Sequence, residues 1–371
     1  MRIGCPKEIK NHEYRVGLTP ESAGELARHG HEVWIQSGAG LGIDATDAEY
    51  EAAGAKIVDG PDPIFAECEM VVKVKEPQAD ERKKLREGQI LYTYLHLAPD
   101  RDQTVDLVNA GVTAIAYETV TGPRGSLPLL KPMSQVAGRM SVQAGANALE
   151  KAHGGRGVLL GGVPGVMPGK VVVIGGGVVG FNAAQMAAGV GADVTILDRD
   201  PEVLERVGTH FETRAKTRFS NAANLHDAVC QADLVIGAVL IPGAAAPKLV
   251  TREMLSDMQK GAVLVDVAID QGGCFETSKA TTHDNPTYVI DGIVHYCVAN
   301  MPGAVARTST YALNNVTLPH ALQIADLGWK DAMRANAHLA EGLNVWDGKV
   351  TYQAVADDLG YEYVPVEKAL A

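Results

Sequence analysis

Val171-Val-Val-Ile-Gly175-Gly176-Gly177-Val178-Val179-Gly180 is the stretch on which the fold turns. An apolar, β-branched run enters a glycine-rich turn, and the helix-forming run Phe181–Ala188 follows. A glycine at Gly175 permits the tight turn, Gly177 lets the backbone approach a pyrophosphate, and Gly180 allows a helix to lie close on a strand. The helix would then present unpaired N–H groups and a partial positive charge to phosphate oxygens. Eighteen residues past Gly180 the next apolar run ends in Leu197-Asp198. A carboxylate there accepts from both ribose hydroxyls and repels a 2′-phosphate, which favours NAD over NADP. Arg199 beside it would tolerate that phosphate and keeps the second cofactor open. A GxGxxG alone is weak, because such turns also serve packing; strand, turn, helix and acid at this spacing are specific together.

Working outward, β-favouring runs recur at Val171–Gly175, Asp193–Leu197, Leu234–Gly237, Val263–Val267 and Tyr288–Ile290. An earlier series lies at Glu32–Gln36, Met70–Lys75, Ile90–Tyr94 and Val112–Tyr117. Amphipathic segments separate them. At Pro20–His29, for example, Thr19 is placed to cap, Pro20 suits the first turn and Gly30 can close the helix. Strands alternating with helices predict parallel sheets covered on both faces. Residues 132–151 read as one long helix leading into the second series. After Arg307 the pattern turns helical at Tyr311–Ala325 and Lys330–Leu339, with no new strand series in the tail. The predicted architecture is α/β, with two doubly wound, Rossmann-like domains and a cleft between them. Residues 1–128 with 307–371 form the substrate and catalytic domain, and 129–306 the NAD-binding domain.

The chain has 371 residues, enough for two cores. Its formal net charge of −12 argues against a nucleic-acid or anionic-membrane surface. The 5 cysteines are scattered and never spaced CxxC, which suits reduced cytosolic thiols better than a disulfide framework or a zinc site. The N-terminus MRIGCPKEIK lacks the apolar core of a signal peptide. Residues 157–180 are apolar enough to resemble a membrane span, but Lys170, two prolines and many glycines would break its helix in lipid. A soluble, cytoplasmic protein is expected.

Ligands in open α/β sheets sit beyond the carboxyl ends of the strands. Lys75 ends the run Met70–Val74, His96 follows Ile90–Tyr94, and Asp270 follows Val263–Val267 in Val-Ala-Ile-Asp270-Gln-Gly-Gly. Arg15 lies in the polar loop Glu13-Tyr-Arg-Val-Gly-Leu-Thr-Pro20 before the first helix. Cations that hold a carboxylate, with groups that move protons, are what amino-acid oxidation requires. Each residue also has a bland reading. Arg15 and Lys75 could be solvated surface charges, His96 a structural histidine, and Asp270 a turn residue before Gly272-Gly273.

Taken together, the chain resembles the family of bacterial alanine dehydrogenases and of the NAD-binding subunits of proton-translocating transhydrogenases. The likeness rests on Gly4-Cys-Pro-Lys-Glu8, Arg15-Val-Gly-Leu-Thr-Pro20, Val72-Lys-Val-Lys75-Glu-Pro, Tyr94-Leu-His96-Leu-Ala and Pro132-Met-Ser134-Gln-Val-Ala-Gly-Arg139. It continues through the glycine motif, Asp266-Val-Ala-Ile-Asp270-Gln-Gly-Gly273 and Val298-Ala-Asn300-Met301-Pro-Gly303. It implies NAD-dependent interconversion of L-alanine and pyruvate with ammonia in a homohexamer; the alternative is an NAD(H)-binding transhydrogenase subunit. Arg15 and Lys75 would hold the substrate carboxylate and carbonyl, and His96 and Asp270 would be the acid/base pair. The NAD site would be lined by Ser134, Gly175, Gly177, Val178, Val179, Gly180, Asp198, Ser220, Val239, Leu240, Val267, Ala268, Ile269, Asp270, Lys279, Val298, Ala299, Asn300 and Met301. Two positions depart from relatives. Val203 stands where a basic residue reaches the adenosine end. Leu327 stands where some members place a histidine that pairs with the counterpart of Glu118 in a magnesium site, so no metal is expected.

Overall fold

Short apolar runs separated by helices satisfy their backbones by pairing side by side. In both sheets of this chain the central strands are buried on both faces, while edge strands such as Lys216–Phe219 remain exposed. The computed structural model describes residues 1–239 and 246–371, and they divide into two units, Met1–Met133 with Gly303–Ala371 and Ser134–Pro302.

The first unit opens with β1 (Arg2–Cys5), β2 (Glu32–Gln36), β3 (Lys56–Val58), β4 (Met70–Val72), β5 (Ile90–Thr93) and β6 (Thr113–Ala116). Their spatial order is β6-β5-β4-β1-β2-β3, parallel throughout. Helix Pro20–Arg28 starts where its sequence requires: Thr19 accepts from the Ser22 N–H, proline fills the first turn, and Gly30 follows at φ +87°. Strands β1 and β3 were missed by periodicity, being 4 and 3 residues long.

The second unit carries β7 (Lys170–Ile174), β8 (Asp193–Asp198), β9 (Lys216–Phe219), β10 (Leu234–Gly237), β11 (Val263–Asp266), β12 (Thr287–Ile290) and β13 (Ile293–Tyr296). Among the described residues they are ordered β12-β13-β11-β10-β7-β8-β9, with only the β12–β13 pair antiparallel. Leaving out the edge strand β12, this is the 3-2-1-4-5-6 order of a doubly wound nucleotide-binding sheet, whose direction of growth reverses between β7 and β10. The helix expected at 132–151 spans Lys131–Ala148. Residues 157–169 are irregular and lead into β7, so the apolar stretch forms no span. No described helix is long and apolar enough to cross a membrane.

The tail departs from expectation. Helix Ala306–Leu327 is followed by Trp329–Ala335 and Ala337–Ala340, then by β14 (Leu343–Trp346) and β15 (Lys349–Val350). Strand β14 pairs antiparallel with β6, which extends the first sheet to eight strands. Apolar burial drives the addition, because Val345, Val350 and Val355 join Phe65, Val71, Leu91 and Leu107 in one core. The connecting Asp347-Gly348 turn has φ of +48° and +73°, the paired positive values that a two-residue hairpin demands.

Candidate active site

In the first unit, β5, β4 and β1 are consecutive parallel strands, so the segments leaving their carboxyl ends are neighbours. Those segments carry His96, Lys75 and Arg15. None of the three lies in a strand: each sits where the pairing has ended and the chain is free to aim side chains.

Arg15 is buried, 3% exposed, and not a solvated loop charge. Glu13 takes it in a fork, with Nε to Oε1 at 2.6 Å and Nη2 to Oε2 at 2.5 Å, while Nη1 lies 3.1 Å from the Met133 Sδ. Burial disfavours the guanidinium, yet the Glu13 carboxylate outweighs it and holds the Arg15 pKa above its ordinary value. Lys75 is part-buried, its Nζ 3.8 Å from Glu76. The strand end that presents it is pinned from beneath. Lys73 is wholly buried and reaches Glu8 at 3.0 Å and Glu81 at 2.9 Å, and Glu8 also accepts from the N–H groups of Val74 and Lys75. Burial opposes the Lys73 ammonium, but the two carboxylates hold it charged, above the usual lysine range.

His96 has an exposed side chain and a backbone at φ +51°, a conformation rare for residues other than glycine. Glu118 secures it: Oε1 accepts the His96 N–H at 2.6 Å, and both carboxylate oxygens face the Leu95 N–H at 3.3 and 3.2 Å. The imidazole stacks on Tyr94 at 5.8 Å between centroids, and Tyr94 donates to the Leu129 carbonyl. Burial raises the Tyr94 pKa against the opposing pull of the Arg15 charge. Seven other described non-glycine residues share a positive φ, His12 among them, so the backbone alone does not single out His96.

In the second unit, Gly175, Gly177, Val178, Val179 and Gly180 follow β7 at the point where sheet order reverses. Gly175 holds φ +100°, and a Cβ there would lie 2.7 Å from the Ala238 carbonyl. A Cβ on Gly180 would meet the Gly175 oxygen at 1.7 Å, so only glycine lets the helix sit on the turn. Gly177 is the opposite case, with nothing within 4 Å of an added Cβ, and no side chain caps helix Val178–Gly189, which begins after it. Open space before an uncapped helix end suits a pyrophosphate. Asp198 ends β8, and its Oδ2 accepts the Gly176 N–H at 2.6 Å while its carbonyl accepts from Ser220 at 2.8 Å. Val239 follows β10 at the same edge, as do Val267, Ala268, Ile269 and Asp270 after β11 and Val298, Ala299, Asn300 and Met301 after β13. Ser134 stands part-buried in the first turn of helix Lys131–Ala148. Lys279 is exposed, with its N–H on the Tyr288 hydroxyl at 2.7 Å. Leu240 lies outside the described residues.

Asp270 is exposed on a 3₁₀ turn, Ile269–Gln271, and sequence reading overlooked what holds it. Asp266 is fully buried and accepts from the N–H groups of Ala268, Cys274 and Phe275 and from the Ser278 hydroxyl. Burial pushes its pKa up against those bonds. One carboxylate thus closes both ends of the loop that carries Asp270. Glu8, Glu13, Lys73 and Gly138 were missed as well. A Cβ on Gly138 would come within 2.2 Å of the Val179 carbonyl, which explains a glycine in mid-helix. The readable signal for Lys73 was its place inside Val72-Lys-Val: a charge in an apolar strand needs a partner.

The model for the N-terminal domain of alanine dehydrogenase/PNT matches residues 4–137, and that for the C-terminal domain matches residues 141–353. An alanine dehydrogenase of Halomonas elongata is 61% identical over 364 residues, covering 98% of each chain. That of Bacillus subtilis is 58% identical over 371 residues, covering 100% of this chain and 98% of its own. A solved L-alanine dehydrogenase superposes with a TM-score of 0.93 at 51% identity over 100% of both chains. A transhydrogenase from Sinorhizobium meliloti gives a TM-score of 0.80 at 27% identity, covering 95% of this chain and 100% of that one. Matched by both domain models and by relatives along nearly its whole length, the chain belongs to the alanine dehydrogenase/PNT family.

Proposed function

We propose that the chain is an NAD-dependent oxidoreductase that converts L-alanine, reversibly, to pyruvate and ammonium. The observation that carries this reading is the full-length likeness, at 61% and 58% identity, to two alanine dehydrogenases. The first unit adds chemical support, with two cations and a strained, exposed imidazole at the carboxyl ends of adjacent strands. Bound NAD would supply the hydride acceptor. Gly177, the helix end after it and Asp198 would hold its pyrophosphate and ribose.

Arg15 and Lys75 bind the substrate carboxylate and carbonyl; the Glu13 fork orients the first, and the Lys73 cluster beneath the strand end positions the second. Once Cα is oxidised to the imine, His96 takes a proton from the attacking water. Asp270 moves the proton needed for the carbinolamine to release ammonia. A neutral imidazole and an ionised carboxylate both serve as proton acceptors in such steps.

The direct test follows NADH oxidation with pyruvate plus ammonium, beside glyoxylate and 2-oxobutyrate. Pyruvate is expected to be the best acceptor, and NADH to outperform NADPH because of Asp198. Absence of turnover with pyruvate and ammonium refutes the reading. The 27% identical transhydrogenase favours a hydride-passing subunit less strongly, and such a subunit would show no alanine-dependent reduction of NAD. We also assign a homohexamer in the cytoplasm. Leu159, Val163, Val166 and Met167 are 53–82% exposed along one loop, which supports burial against further copies, and the 5 free cysteines support a reducing compartment.

A further inference from the structure

Away from the residues assigned above, three side chains of the second unit converge on one point of its surface. Helix Ala222–Gln231 carries His226 and Cys230 four residues apart, hence on one face. Asp257 closes the 3₁₀ turn Glu253–Ser256 that packs beside it. His226 Nε2 lies 3.0 Å from the Asp257 Oδ2 and 3.7 Å from the Cys230 Sγ, and the three donor atoms all fall within 4.8 Å of one another.

We propose that His226, Cys230 and Asp257 form a surface site for one thiophilic divalent cation, zinc by preference, with water completing the shell. Zinc bonds of about 2.0–2.3 Å at tetrahedral angles set donor separations of about 3.4 Å for nitrogen to oxygen and about 3.6 Å for sulfur to either. The first two observed separations lie within about 0.4 Å of those values. The Sγ is also 3.8 Å from Nδ1, so the ring turns about its Cβ–Cγ bond to aim Nε2 at the ion. A thiolate with an imidazole selects zinc over magnesium or calcium, which prefer all-oxygen shells. The other cysteines, Cys5, Cys68, Cys274 and Cys297, are buried, and among the described residues no other group of three such donors converges. The site does not involve Glu118, which belongs to the first unit, and its His-x3-Cys spacing is unlike a CxxC zinc motif. It would fasten the helix to the turn that precedes β11.

The test uses the full chain freed of metal by chelation and titrated with cobalt(II), then with zinc. Wild type is expected to bind one cobalt per chain with a near-ultraviolet thiolate-to-cobalt band that zinc abolishes. Cys230→Ser should lose that band. Asp257→Asn should keep it and bind zinc at least about tenfold more weakly, since losing even an outer partner of a metal site costs that much. Thermal melts of both variants without metal should match wild type, because Asp257 is exposed and Cys230, only part-buried, is replaced by a near-isosteric serine. No band in wild type, a band that survives Cys230→Ser, or unchanged zinc affinity in Asp257→Asn overturns the site.

Discussion

Gly177→Ala separates a glycine needed for a ligand from one needed for the fold. In the chain alone an added methyl at 177 meets nothing within 4 Å, and the backbone at φ −67° is ordinary for alanine. Replacing glycine at such a position costs the unfolded chain entropy and is neutral or stabilising by about 0.4–1 kcal/mol. The melting temperature should therefore stay within about 3 °C of wild type. The cofactor complex is another matter, because the methyl occupies the space assigned to the pyrophosphate. Forcing a methyl into a filled contact costs about 1–3 kcal/mol, so the NADH dissociation constant should rise roughly 5- to 150-fold. Gly180→Ala is the contrasting control. Its methyl would sit 1.7 Å from the Gly175 oxygen, which the turn can relieve only by moving more than an ångström, so this variant should melt earlier than wild type. NADH fluorescence titration and calorimetry on the two variants give the readouts. Wild-type NADH affinity in Gly177→Ala would show that no phosphate approaches there. A wild-type melt in Gly180→Ala would contradict the close seat of helix on turn.

His96→Asn keeps a residue type that tolerates positive φ, so it should fold like wild type while turnover falls by about 10²–10⁴; steady-state rates near wild type would remove His96 from proton transfer. Lys73→Met leaves Glu8 and Glu81 buried without their shared cation and should destabilise the first unit by about 3–5 kcal/mol in denaturant unfolding, an unchanged midpoint being the contrary result. Acidification should weaken the second unit through His295, which is fully buried, bonded to the Ile293 carbonyl and Thr277, and held below the ordinary histidine pKa by desolvation. Because the fold binds that proton less readily than the unfolded chain does, this contribution is whole above the unfolded value of about 6.5 and is lost as pH falls toward the folded pKa. Melting temperatures of wild type and His295→Gln, compared from neutral pH downward, should show the steeper decline in wild type; parallel declines would exclude His295 as the cause.

Legibility in the sequence tracked how local each determinant is. Strand, glycine turn, helix and Asp198 lie within 28 consecutive residues, from Val171 to Asp198, and all could be read because their geometry is fixed by near neighbours. The Asp-Gly turns at Asp291-Gly292 and Asp347-Gly348 were equally local, with positive φ at all four residues, yet the strands after them escaped notice. Strand β13 follows its turn with Ile-Val-His-Tyr, and β15 offers only two residues, so hydrophobic period carried little signal and turn chemistry should have decided. The partners of the charged residues were not local at all. Glu8 is 65 positions from Lys73, and nothing in the apolar run around Lys73 names it. What the run does state is a debt: an ammonium enclosed by Val72 and Val74 cannot remain unpaired in a sheet buried on both faces. The same reasoning reaches Arg15, whose polar-looking loop is buried with Glu13 only two residues away. A charge inside an apolar pattern therefore predicts a network before the structure reveals its members. In this chain such networks lie directly beneath the side chains assigned to substrate: Glu13 under Arg15, the Lys73 cluster under Lys75, and Glu118 under His96.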